Sequence, residues 1–88
     1  MKFQYGKRFF KDLAIVPKPF RELVENLVFE KLPSKNVDVF FAMISKLKNQ
    51  DSFYKIRVGD YRVGIFIDND TVEFRRVLHR REIYRFFP

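Results

Sequence analysis

The sequence predicts an α+β fold, with an N-terminal strand and two or three helices packed on an antiparallel sheet and a short C-terminal helix. Apolar residues recur at helical spacing through the first half of the chain, and from Phe53 the period changes to two. Two turn signals, Gly59-Asp60 and Asp68-Asn69-Asp70, divide the second half into successive hairpin strands. Helices followed by meandering strands belong to the α+β class rather than to alternating α/β architectures.

Lys2 to Tyr5 alternate in character and open the fold as a short strand. After Gly6, the residues Phe9, Phe10 and Leu13 of KRFFKDLAIV sit at helical spacing. Pro17 and Pro19 interrupt that pattern, as proline is tolerated in the first turn of the helix that follows. Phe20, Leu23, Val24, Leu27 and Val28 then form one apolar stripe of an amphipathic helix, which Pro33 is expected to stop. Val37, Phe40, Phe41, Ile44 and Leu47 fit a further helix with Asn36 as its N-cap, and the β-rich VDVFF fits an irregular turn equally. Beyond Asn49 the alternation places Tyr54, Ile56 and Val58 on one strand face and Phe53, Lys55 and Arg57 on the other. Tyr61, Val63, Ile65 and Ile67 alternate in the next strand with Arg62, Gly64 and Phe66, and Val72 and Phe74 begin a third. The pattern slips at Arg75-Arg76 before Val77-Leu78, the sign of a bulge or a strand end. HRREIYRFFP is too short to stand alone as a helix and is expected to pack on the sheet.

Eighty-eight residues predict a single domain over 1–88 with one thin core, filled by twelve Phe and four Tyr. There is no Cys and one His, which leaves no thiol nucleophile, disulfide framework or His-rich metal site, so neither a cofactor nor a metal is expected. Charges scattered through MKFQYGKRFFKDL break any signal-peptide core, and no apolar run is long enough to span a bilayer. A cytoplasmic protein without a membrane partner is expected. The formal charge of +7 favours a polyanion or an acidic protein as partner. From Tyr54 onward there are seven Arg and one Lys. Arginine's planar fork matches phosphate bidentately, so phosphate chemistry is expected in the C-terminal third.

Lys55, Arg57 and Arg62 share one predicted sheet face across a tight hairpin, and Arg80 and Tyr84 follow at helical spacing of four. A cationic strand face is, in most proteins, only a solvated surface. This set contains no carboxylate pair and no metal cage, however, and it suits RNA cleavage by the substrate's own 2′-OH. That reaction needs a proton acceptor, cations to stabilise a dianionic phosphorane, and a proton for the leaving 5′-oxygen.

YKIRVGDYRVGIFID, followed by TVEFRRVLHRREIYRFF, resembles the central and C-terminal pattern of the RelE/ParE toxins. The match is dense from Phe53 to Phe87 and looser over KRFFKDLAIV. The resemblance implies a RelE-like fold and a ribosome-dependent, metal-independent endoribonuclease that cleaves mRNA in the A site. It implies that Lys55 helps to activate the 2′-OH, that Arg62 is the transition-state arginine, and that Arg80 assists the leaving oxygen. Tyr84 would stack on a base or transfer a proton. RNA-binding roles are implied for Arg57, Arg81 and His79, with His79 also a reserve acid. Arg57 stands where a lysine would be the better base, which shifts that role toward Lys55 or Tyr84. The implied partners are an acidic cognate antitoxin, the ribosome and mRNA. A non-enzymatic toxin like those of the ParE branch, which bind DNA gyrase, shares the fold, as does a degenerate relative that only binds its antitoxin. Retention of Lys55, Arg57, Arg62, Arg80 and Tyr84 together favours the nuclease over the gyrase-binding toxin, and the degenerate relative stays open as a third reading.

Overall fold

The four strands expected from the sequence are joined by a fifth in a computed structural model that describes residues 1–34, 36–48 and 50–88. Asn49, the expected boundary between the two patterns, lies outside the described residues, as does the side chain of Val37. Strands β1 (Lys2–Tyr5), β2 (Ser45–Lys46), β3 (Phe53–Val58), β4 (Tyr61–Asp68) and β5 (Thr71–His79) form one sheet in the order β1-β5-β4-β3-β2. Strands β2 to β5 pair antiparallel, as expected, but β1 runs parallel to β5, so the sheet is mixed. Parallel neighbours need a long crossover, and here it is the whole intervening chain.

Both hairpins follow from local chemistry. Gly59 adopts φ +58° in a two-residue loop, and a Cβ there would lie 2.7 Å from the Phe20 ring. Asn69, at φ 54°, fills the equivalent need between β4 and β5. The slip at Arg75-Arg76 is a bulge rather than a strand end: the register shifts between Gly64 and Ile65, and β5 continues to His79.

One face of the sheet carries the helices. α1 (Lys7–Ala14) buries Phe9 and Leu13, the first and last of the expected triplet, and leaves Phe10 half exposed. α2 (Phe20–Glu25) passes without a break into a π-helical segment, Asn26–Lys31, and then α3 (Leu32–Ser34). Contrary to the expected stop at Pro33, the helix runs through the proline to Ser34. The π register explains how. The Leu32 N–H reaches back to the Leu27 carbonyl, so in this register the carbonyl of Val28 would seek its donor at position 33, where proline has no N–H. The Tyr5 hydroxyl donates to that carbonyl at 2.7 Å instead, and burial pushes the Tyr5 pKa up, which keeps the phenol a donor.

Asn36 is an N-cap, as expected: its side chain accepts the Val39 N–H at 2.9 Å and starts α4 (Val37–Met43). The expected helix to Leu47 ends early. Ile44 is extended, Ser45 and Lys46 pair with Lys55 and Tyr54, and Leu47 is buried elsewhere. Helical spacing at Ile44 and Leu47 loses to these tertiary partners. Phe9, Val24, Val28, Phe40, Ile56, Ile65 and Phe74 sit in the main core between sheet and helices. On the opposite face, α5 (Ile83–Phe86) and Phe87 cover a second, smaller cluster of Leu47, Ile83 and Phe87, flanked by Phe53 and Leu78. Among the described residues no helix is long and apolar enough to cross a membrane.

Candidate active site

The face opposite the main helices presents the expected cations. Ile56 and Val58 of β3 belong to the main core, so Lys55 and Arg57 point the other way. Arg57 pairs directly with Arg62 across the β3–β4 hairpin, and Lys55 pairs with Gly64. Among the described residues, no carboxylate lies within ion-pair distance of Lys55, Arg57 or Arg62. Two adjacent arginines without a counter-ion repel each other, an arrangement that an anionic ligand relieves.

Arg62 folds back over the hairpin rather than reaching into solvent. Its Nη1 donates to the carbonyls of Gly59 at 2.9 Å and Tyr61 at 3.0 Å. The fork is thereby oriented while Nε and Nη2 make no hydrogen bond among the described residues. Arg80 is tied to the same turn: its backbone N–H donates to the Asp60 carbonyl at 2.8 Å, and its Nε lies 3.9 Å from Asp60 Oδ1. The hairpin tip therefore gathers Arg57, Arg62 and Arg80.

Lys55 and Tyr84 form a second pole, two residues along β3 from Arg57. The Lys55 ammonium lies 5.1 Å from the centroid of the Tyr84 ring, and that ring is 66% exposed. Tyr84 is held there by α5, which is only four residues long and cannot persist without packing. The packing centres on Gly64. A Cβ at Gly64 would lie 2.9 Å from three atoms of the Phe87 ring, so only glycine lets Phe87 lie against β4.

Not every expected residue joins this face. Because α5 begins at Ile83, the spacing of four does not place Arg80 and Tyr84 on one helical side, and Arg80 lies instead in the turn after β5. His79 pairs with Tyr61, which packs on the main core, so His79 lies on the helix side of the sheet, edge-on to the Tyr61 ring at 5.5 Å. Its Nδ1 accepts the Arg81 N–H at 3.2 Å, and Arg81 itself is exposed. Sequence reasoning missed Asp60 as the partner of Arg80 and missed Arg75, whose guanidinium covers the Phe66 ring at 4.3 Å and pairs with Glu73. It also missed Gly64, although a glycine inside a strand is itself a sign of close approach.

Chemically, the face offers an amine and a phenol at one pole and the guanidiniums of Arg57 and Arg62 at the other, with Arg80 in the adjoining turn. That set can hold a phosphodiester and stabilise charge developing on it, with proton transfer confined to Lys55 and Tyr84.

Residues 5–84 match the family model described as the ParE toxin of the type II toxin–antitoxin system parDE. The chain is 42% identical over 88 residues to toxin RelE3 of Methanocaldococcus jannaschii, covering all of both chains. The fold is similar to the RelB–RelE antitoxin–toxin complex from Methanococcus jannaschii, with a TM-score of 0.76 and 40% identity over 97% of this chain and 99% of that one. It is also similar to the toxin–antitoxin complex RelBE2 from Mycobacterium tuberculosis, with a TM-score of 0.72 and 23% identity over 90% and 96% of the two chains.

Proposed function

This chain belongs to the ParE toxin family of type II toxin–antitoxin systems and is a toxin of the RelBE type, and we propose that it cleaves mRNA in the ribosomal A site without a metal. The observation that carries this reading is the open sheet face, where Arg57 and Arg62 lie side by side without a carboxylate and Tyr84 lies over Lys55. In the reaction, the 2′-OH loses its proton to the neutral amine form of Lys55 or to the phenolate form of Tyr84, forms that nearby positive charge favours, as its oxygen bonds to phosphorus. The bond from phosphorus to the 5′-oxygen then breaks, and that oxygen takes up a proton from the protonated base or from water, leaving a 2′,3′-cyclic phosphate and a 5′-OH. Arg62, already oriented by two carbonyls, directs its free donors at the phosphorane. Arg57 holds the ribose-phosphate chain, and Arg80 faces the leaving oxygen once Asp60 releases it. Arg81 extends the cationic surface past the strand end, and His79, on the other side of the sheet, has no part in the chemistry.

A site this poor in conventional acids and bases depends on substrate positioning, which a ribosome-held message supplies. The cognate partner is an acidic antitoxin segment, matched to a chain of net charge +7. The two solved structures compared above are complexes of a toxin with its antitoxin. The family model carries the ParE name, and the relative matched over its full length carries the RelE name. The cationic face with Tyr84 favours the nuclease. Expression of this chain alone in bacteria should collapse incorporation of labelled amino acids before DNA synthesis falls. Early DNA-damage signalling with intact mRNA would instead establish a gyrase-directed toxin.

A further inference from the structure

Asp12 of α1 is the buried charged side chain among the described residues, and it lies outside the cationic face. Its Oδ2 accepts from Arg76 Nε at 2.7 Å and from the Val77 N–H at 3.0 Å, and its Oδ1 accepts from Arg76 Nη2 at 3.2 Å. The carboxylate is thus met by a two-pronged guanidinium and a backbone donor, the arrangement that compensates burial of charge. One arm of Arg76 remains, and its Nη1 donates to the carbonyl of Phe86 at 3.3 Å. Phe86 is the last residue of α5, and its carbonyl is one of those that a helix end leaves without an internal partner. The β5 bulge, which shifts register opposite Gly64 and Ile65, brings Arg76 to this junction of α1, β5 and α5.

Burial of α1 against β5 requires nothing of Phe86, and a buried ion pair is not in general a source of stability. The third contact reaches the helix that carries Tyr84 two residues earlier. We propose that Asp12 and Arg76 are a positioning pair, which fixes the end of α5 so that the Tyr84 ring stays over the Lys55 ammonium. Neither residue touches the reacting atoms. The effect on cleavage rests on the nuclease reading above, whereas the effect on α5 does not.

Arg76→Lys separates the two functions of the arginine. Lysine keeps a cation beside Asp12 but lacks the fork that reaches Asp12 and Phe86 together. Hydrogen exchange should then quicken about tenfold or more at the amides of Arg85, Phe86 and Phe87, which bond to Glu82 and Ile83, while the β4–β5 ladder keeps its protection. Single-turnover cleavage on programmed ribosomes should slow by about 10²-fold at unchanged half-saturating toxin concentration, as expected for a misplaced catalytic group. The same substitution added to Tyr84→Ala should slow it no further. Asp12→Asn, which can still accept the Val77 N–H, should loosen α5 in the same way. Unchanged exchange in α5, loss of protection across the whole ladder, or a further slowing on top of Tyr84→Ala would each overturn the proposal. If the parent itself leaves mRNA intact, the nuclease reading fails, and exchange in α5 alone decides for or against the positioning pair.

Discussion

The two faces of β4 show how differently the sides of this sheet are built. On one side Tyr61, Val63, Ile65 and Ile67 join a core closed by α1, α2 and α4, in which Phe74 is fully buried and lies near the rings of Phe3, Tyr5 and Phe9. On the other side Gly64 lies against Phe87, Phe66 lies between Phe53 and the Arg75 guanidinium, and the nearby helix is the four-residue α5, resting on Leu47, Ile83 and Phe87. The first side uses apolar area to hold the fold. The second spends little area and leaves cations uncompensated, which a protein tolerates where a ligand supplies the missing charge. Substitutions on the helix side should therefore lower stability, and those on the cationic side should lower activity in a protein that remains folded.

The largest effects test that division directly. Phe74→Ala should destabilise by about 3–5 kcal/mol, enough to unfold much of a small domain, as read by denaturant titration. Arg62→Ala should leave the denaturation midpoint nearly unchanged and cost on the order of 10²–10³ in cleavage rate. Reversal of the two outcomes would show that the cationic side, not the helix side, holds the fold.

Gly64→Ala probes the junction between the sides. The added Cβ meets the Phe87 ring at 2.9 Å, so α5 must shift. The expected stability loss is about 1–3 kcal/mol, with a loss of cleavage beyond what unfolding explains. A fully active Gly64→Ala variant would show that Tyr84 does not need α5 where it lies.

The smallest predicted effect belongs to the helix side. Tyr5→Phe leaves the Val28 carbonyl without its donor and should destabilise by about 1 kcal/mol. The Tyr5 pKa is raised on folding, so the folded state holds its proton more tightly than the unfolded chain. This contribution is fully present below the unfolded value and is lost as pH rises through the folded one. Chemical denaturation across the alkaline range should show a decline in the parent that Tyr5→Phe lacks.

The parts legible in the sequence were those written in local patterns. Alternation about Ile56 and Val63, the glycine at 59 and the αL-tolerant Asn69 specify β3, β4 and β5 without reference to the rest of the chain. Asn36 announced its helix through a side-chain acceptor alone. What stayed hidden depends on partners distant in sequence. Leu47 fits a helix until Ile83 and Phe87 offer it a pocket, and Pro33 reads as a stop until Tyr5 satisfies Val28. In the site, residue types and strand faces were readable for Lys55, Arg57 and Arg62. The tether of Arg62 to the hairpin, the Asp60 partner of Arg80 and the contact between Asp12 and Arg76, 64 residues apart, were not.

If the cationic face performs phosphoryl transfer on ribosome-held RNA, the cut message itself carries the signature. The most direct test is primer extension, with end-group analysis, on a translated message incubated with purified ribosomes and this chain. The expected result is breaks within A-site codons, 2′,3′-cyclic phosphate or 3′-phosphate ends, and loss of those breaks in Arg62→Ala and Tyr84→Ala. Messages left intact by the parent, or cut equally well by both variants, would contradict that chemistry.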